Sequence, residues 1–333
     1  MSSMRRRQFV KALTLLLSAA VVTLSIWAIF NRQFVLDQFA VWSYEPSSAI
    51  GAISQKTDMT QKGEFVFYAT RPAIDTKESF NQSCPRQEVN SPILGCYTGD
   101  DRIYIYDITN SQLDGIEEVT AIHEMLHAQW KRTNSADKER LSKELEAAYA
   151  SLNDPGLKER MEYYKRTEPG EFTNELHSIL GSEVPNLGDS LEKYYAQFFD
   201  RSKVLAFHSA YSGVYQTLYD QVDTLLSKME TLAAKINSET ASYNQATSQL
   251  SADINSFNER ANNGEFSSMR AFNTERAALV ARSNELDQQR ESINADIDTY
   301  NSYYAQYQDV ASQIDALNGS IDSFTEVQQA PSV

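Results

Sequence analysis

The chain has 333 residues and a formal net charge of −15, with basic residues clustered at the N-terminus. That length accommodates two domains, and acidity on this scale excludes nucleic acid as a partner and argues against electrostatic docking on an anionic lipid surface.

Arg5, Arg6, Arg7 and Lys11 precede an uncharged run over residues 12–30. A run of that length crosses a bilayer as a helix, and the basic cluster keeps residues 1–11 in the cytoplasm. Residues 12–30 therefore read as a transmembrane signal anchor, with the bulk of the chain extracytoplasmic. A cleaved signal peptide is the rival reading, because Ser18, Ala19 and Ala20 offer small residues for processing. The apolar run continues past them to Phe30, longer than an ordinary signal core. Cys84 and Cys96, the only cysteines, bracket a segment containing Pro85 and Pro92. In an oxidising compartment an even pair reads as one disulfide, and its spacing lacks the close C-x-x-C of a thiolate zinc site.

Residues 64–109 have a strand-like pattern, with runs at 65–68, 93–98 and 103–106 and a hairpin turn signal at Gly99-Asp100-Asp101. Helical patterns follow at 116–131, 135–152, 156–166, 171–180 and 191–207. Strands first and helices after give an α+β domain over residues 31–210, a small antiparallel or mixed sheet plus helices.

Near residue 211 the composition shifts to Ser, Asn, Gln, Ala and Asp. Leu218, Val222, Leu225 and Met229 begin a heptad seam that continues to Phe257, interrupted by Glu239 and Asp253. After Asn262-Asn263-Gly264 a second seam runs through Phe272, Leu279, Leu286, Ile293 and Ile297 to Ile321, with Arg276, Ser283, Arg290 and Asn318 as polar members. This predicts an all-α antiparallel coiled-coil hairpin over 211–326, about 60–75 Å long, and a disordered tail at 327–333. One long helix pairing between chains is the alternative. Matching Arg276 and Arg290 to Glu239 and Asp253 would set the register. Tyr300, Tyr304 and Tyr307 would pack in the seam rather than bind a ligand.

The chemistry concentrates at His123-Glu124-Met125-Leu126-His127. Two imidazoles four residues apart on a helix face the same way and can close on one metal ion, and Glu124 stands beside them to handle a water. Ile122, Met125 and Leu126 would seat the helix in the core.

This H-E-x-x-H arrangement resembles the zincin metallopeptidases, and without a following G-x-x-H it is similar to their gluzincin branch. The resemblance implies Zn2+ held by His123, His127 and a glutamate from a downstream helix. It also implies hydrolysis of a peptide or protein substrate by a zinc-activated water, with Glu124 as general base. Glu175 in Asn174-Glu175-Leu176-His177-Ser178 matches, and it borders the apolar stripe of Phe172, Leu176, Ile179 and Leu180. Glu183 and His177, the latter expected to face solvent, are the alternatives. Tyr194, Tyr195 and His208 are candidates for an added oxyanion donor. The strand at 102–109 is expected to be an edge along which an extended substrate pairs. Together these readings give a membrane-anchored extracytoplasmic zinc metallopeptidase whose coiled coil either binds a protein partner or holds the catalytic domain at a distance from the membrane. Its alternatives are a non-catalytic cell-envelope scaffold with a zinc-stabilised or degenerate zincin domain, and a metal-dependent hydrolase of cell-wall amides.

Overall fold

The structure, a computed structural model, describes residues 3–84, 93–167 and 169–322. Pro85, Pro92 and the expected tail at 327–333 lie outside the described residues. The helices are α1 (Ser3–Phe30), α2 (Arg32–Ser43), α3 (Ser48–Lys56), α4 (Gln61–Ala69), α5 (Lys77–Ser83), α6 (Ile116–Arg132), α7 (Ser135–Ser151), α8 (Pro155–Thr167), α9 (Phe172–Glu183), α10 (Asp189–Tyr195), α11 (Arg201–Asn262) and α12 (Met269–Ile321). The strands are β1 (Ala73–Asp75), β2 (Gly95–Tyr97) and β3 (Ile103–Tyr106). The chain divides into two compact units, Met1–Gly213 with Asn318–Val333, and Val214–Leu317. Helix α11 passes unbroken through residue 210, where the composition changes.

In the first unit, Leu13–Phe30 of α1 is long and apolar enough to cross a membrane, and none of it is buried. The run at 65–68, expected as a strand, is instead part of α4. The Thr60 hydroxyl caps this helix by accepting from the Gly63 N–H at 3.1 Å. Val66 and Phe67 enter the core while Phe65 packs on Phe34 and Tyr68 on Tyr44. Four consecutive apolar residues that all find partners carry no period, so the run alone cannot separate strand from helix.

The sheet is mixed, in the order β1-β3-β2. β3 pairs parallel with β1, Ile105 opposite Ile74, and antiparallel with β2, Ile105 opposite Gly95. The strand expected to be an edge is thus central, because the short segment at 73–75, unmarked by any hydrophobic run, pairs on its far side. Cys84 and Cys96 form a disulfide that joins the end of α5 to β2.

Helix α6 runs through the core, burying Val119, Ala121, Ile122, Met125, Leu126 and Ala128. Helix α9 packs along it and is flanked by α7 and α8. Gly181 makes the close approach: a Cβ there would lie 2.5 Å from Leu126 Cδ1 and 2.6 Å from Tyr195 Cε1. The single helix expected over 191–207 is broken between α10 and α11, which lets Phe198 and Phe199 turn fully into the core. The break is held by backbone bonds from Thr60 N–H to Phe198 O and from Asp200 N–H to Thr57 O. Arg201, just after it, caps the end of α9 by donating to the carbonyls of Leu180, Gly181 and Val184, and pairs with Glu192 at 2.7 Å.

In the second unit, α11 and α12 pair antiparallel around the Gly-containing break. The first seam follows its expected positions, with Leu218, Leu225, Met229, Leu250 and Phe257 buried. The second is offset at every other step. Arg276, Ser283, Arg290, Ile297 and Tyr304 face solvent, and Glu275, Arg282, Gln289, Asp296 and Tyr303 take the inner positions. Ion pairs cross the arms at these positions: Arg260 with Glu275, Arg282 with Asp253 at 2.5 Å, and Lys235 with Asp296 at 2.6 Å. Arg290 pairs within its own helix, to Asp287. Tyr304 lies outside the seam, and the Lys228 ammonium lies over the Tyr303 ring.

Candidate metal centre

The site is built on α6 and α9. Helix α6 starts at Gly115, whose left-handed φ of 95° and lack of a side chain accommodate the Phe207 ring. Its last turn is clamped by Arg132, which donates to Asp37 of α2 at 2.7 Å and to Asp101 of the β2–β3 turn at 3.0 Å, both within a largely buried network. A helix fixed at both ends presents His123 and His127 at a defined height.

Their Nε2 atoms lie 3.1 Å apart. From α9, Glu175 reaches the same point, with Oε1 3.4 Å from His127 Nε2 and Oε2 3.8 Å from His123 Nε2. The three residues offer ligand atoms within 4.8 Å of one another, so the group could hold a metal ion. Tetrahedral ligands about 2.0–2.2 Å from one ion stand roughly 3.3–3.6 Å apart, and the separations of 3.1, 3.4 and 3.8 Å bracket that range. Burial pushes the His123 imidazole well below its ordinary pKa, and the nearby His127 and Arg160 add to the shift. Neutral imidazole is the form that binds metal.

The other nitrogen of His127 is committed. Its Nδ1 lies 3.0 Å from Asn174 Oδ1, and the Asn174 amide donates to Glu171 Oε2 at 2.9 Å. An amide oxygen only accepts, so Nδ1 carries the proton and Nε2 keeps its lone pair for the site.

Glu124 is buried on the side of α6 that faces β2. A Cβ at Gly95 would lie 2.8 Å from Glu124 Cγ and 2.6 Å from Thr120 Cγ2, so a glycine is what lets β2 pass this close. Tyr164 of α8 lies in the field of the same carboxylates. Burial raises its phenol far above the usual range, and the charges of Glu175, Glu183 and Glu124 add to the shift against that of Arg160. It is a neutral donor at physiological pH.

Other sequence candidates go elsewhere. His177, expected toward solvent, is fully buried because α9 has neighbours on three sides. Its Nε2 meets the Tyr194 hydroxyl at 2.9 Å, and burial lowers its pKa to about 3. The Tyr195 hydroxyl donates to the His177 carbonyl. Glu183 pairs with Arg160 at 2.6 Å, and His208 lies 3.7 Å from Glu183. Sequence reasoning missed Asn174 and Gly95. The signal was slight: Asn174 adjoins Glu175.

Comparison with protein-family models, curated proteins and solved structures finds no match to the chain.

Proposed function

We propose that the protein is a membrane-anchored, extracytoplasmic zinc metallopeptidase. The observation that carries this is the meeting of His123, His127 and Glu175, whose ligand atoms lie within 4.8 Å of one another, with buried Glu124 next in the chain to His123. When bound, zinc supplies a Lewis acid that polarises the scissile carbonyl and brings the pKa of water toward 7. Glu124 takes the proton of the attacking water and delivers it to the leaving amine. An extended substrate pairs with β2, an edge strand beside Glu124, and backbone pairing of this kind brings affinity with little sequence choice.

The apolar α1 and the Cys84–Cys96 disulfide support the location, since disulfides persist outside the reducing cytoplasm. The scaffold reading draws on the hairpin, whose outward Leu226, Val280, Ile297 and Tyr304 are exposed. Here the hairpin serves as a partner-binding arm.

The test is zinc per full-length chain in detergent after dialysis against a mild chelator, for the parent and Glu175→Ala, together with cleavage of a diverse peptide library. About one zinc in the parent, a large loss in the variant and cleavage by the parent support the proposal. Zinc without cleavage favours the scaffold, and a folded parent without zinc overturns the metal site.

A further inference from the structure

We infer that α2 is an interfacial helix, with Leu36, Phe39 and Trp42 seated among the lipids of the bilayer that holds α1, so that the metal-bearing unit docks directly on the membrane. The inference rests on the reading of α1 as a membrane span. It does not depend on the proposed catalysis.

The connection between the two helices is the first observation. The apolar span ends at Phe30 and α2 begins at Arg32. Asn31 alone lies between, and it is tied on both sides: its N–H donates to Trp27 O at 2.9 Å and its carbonyl accepts from Val35 N–H at 3.1 Å. Twelve residues of helix extend about 18 Å, so no part of α2 is farther than that from the end of the span.

The two faces of α2 are the second. The inner face packs on α4 and carries Asp37 onto Arg132, while Phe34 at its margin meets the Phe65 ring and stays 48% exposed. The outer face leaves Leu36 50%, Phe39 61% and Trp42 71% exposed, the last two with rings 5.7 Å apart. Asp37 is the only acidic residue of α2, and it is turned inward, so the outer face carries no negative charge. Arg32 stands at the end nearest the span.

Aromatic and aliphatic groups on one face, a basic residue at the membrane end and no acid between are what the headgroup layer accommodates. The strong acidity of the chain does not oppose this, because the contact is apolar. The Asp37–Arg132 pair then joins the lipid-facing helix to α6. His127 and His123 follow Arg132 at roughly 8 and 14 Å along that helix.

The experiment uses full-length protein in phosphatidylcholine vesicles. Both native cysteines are in the disulfide, so a nitroxide attaches only at an introduced cysteine: Phe39→Cys, Trp42→Cys, Val22→Cys within the span, or Glu139→Cys on exposed α7. Accessibility to oxygen relative to an aqueous nickel chelate should be several-fold higher at positions 39 and 42 than at 139, and highest at 22. Lipid exposure at 22 with water exposure at 39 and 42 overturns the interfacial helix and leaves the anchor standing. Water exposure at 22 removes both. Shielding of 39 and 42 from both reagents means that protein covers the face, which also overturns the proposal. As a check on folding, Trp42→Phe should remove a measurable share of the fluorescence quenching by brominated lipid seen in the parent, and unchanged quenching counts against the inference.

Discussion

His127 Nδ1 and Asn174 Oδ1 stand 3.0 Å apart, and that bond decides which imidazole nitrogen faces Glu175. Replacing Asn174 with Ala should lower zinc affinity about 10–100-fold, the usual effect of losing the partner that orients a histidine ligand. Asn174→Asp keeps an acceptor and should retain most of it. Competition with a chromophoric chelator reads both, and equal affinity in all three proteins would remove Asn174 from the site.

Glu124 is assigned a proton-transfer role and no ligation. Glu124→Gln should therefore keep its zinc while turnover of any cleaved peptide falls about 10²–10⁴-fold. Loss of zinc together with activity would recast Glu124 as a ligand.

Gly95 has room for hydrogen only, between Thr120 and Glu124. Gly95→Ala should cost about 1–3 kcal/mol of stability through overpacking and should displace Glu124, so peptide turnover should drop while zinc content holds. A variant with the parent's melting temperature and rate would show that β2 does not constrain the carboxylate.

Arg132, Asp37 and Asp101 form a largely buried ion network. Arg132→Met should destabilise the first unit by roughly 3–5 kcal/mol, because it strands buried carboxylates. Burial raises the Asp101 carboxyl, but the Tyr97 hydroxyl and the Arg132 charge outweigh it and hold the pKa below the ordinary value. A depressed folded-state pKa stabilises above the unfolded value, about 4 for a carboxylate, and that contribution is lost as pH falls through the folded value. Thermal melts from pH 7 to pH 2 should show Asp101→Asn losing less stability on acidification than the parent. Parallel curves would refute the role of Asp101.

The hairpin register places Asp253 opposite Arg282 and leaves Arg290 outward. Arg290→Glu should change stability by no more than about 0.5 kcal/mol. Arg282→Glu should lower the melting temperature slightly, because it sets two negative charges against each other across the arms, and adding Asp253→Lys should restore it. Melting of the three variants distinguishes this register from one that matches Arg290 to Asp253.

What sequence determined was local. The four-residue spacing of His123 and His127 follows from helical periodicity, and so does the first hairpin seam, because each repeats within a few residues. The uncharged run of α1 and the pairing of the two cysteines rest on composition and count. Tertiary structure decided whatever depends on what lies on the other side of an element. Phe65, Val66, Phe67 and Tyr68 are helical because partners await them on several faces. β3 is central because β1 arrives from a segment without a hydrophobic signature. His177 is buried because α9 has three neighbours. The second seam takes polar Arg282 and Asp296 where Ile297 and Tyr304 were expected, and charged groups of the opposite arm, which lie far away in sequence, meet them there. The same rule holds at the candidate metal centre: the motif names His123 and His127, but Glu175 and Asn174 come from another helix, and only the packing of α9 beside α6 brings them there.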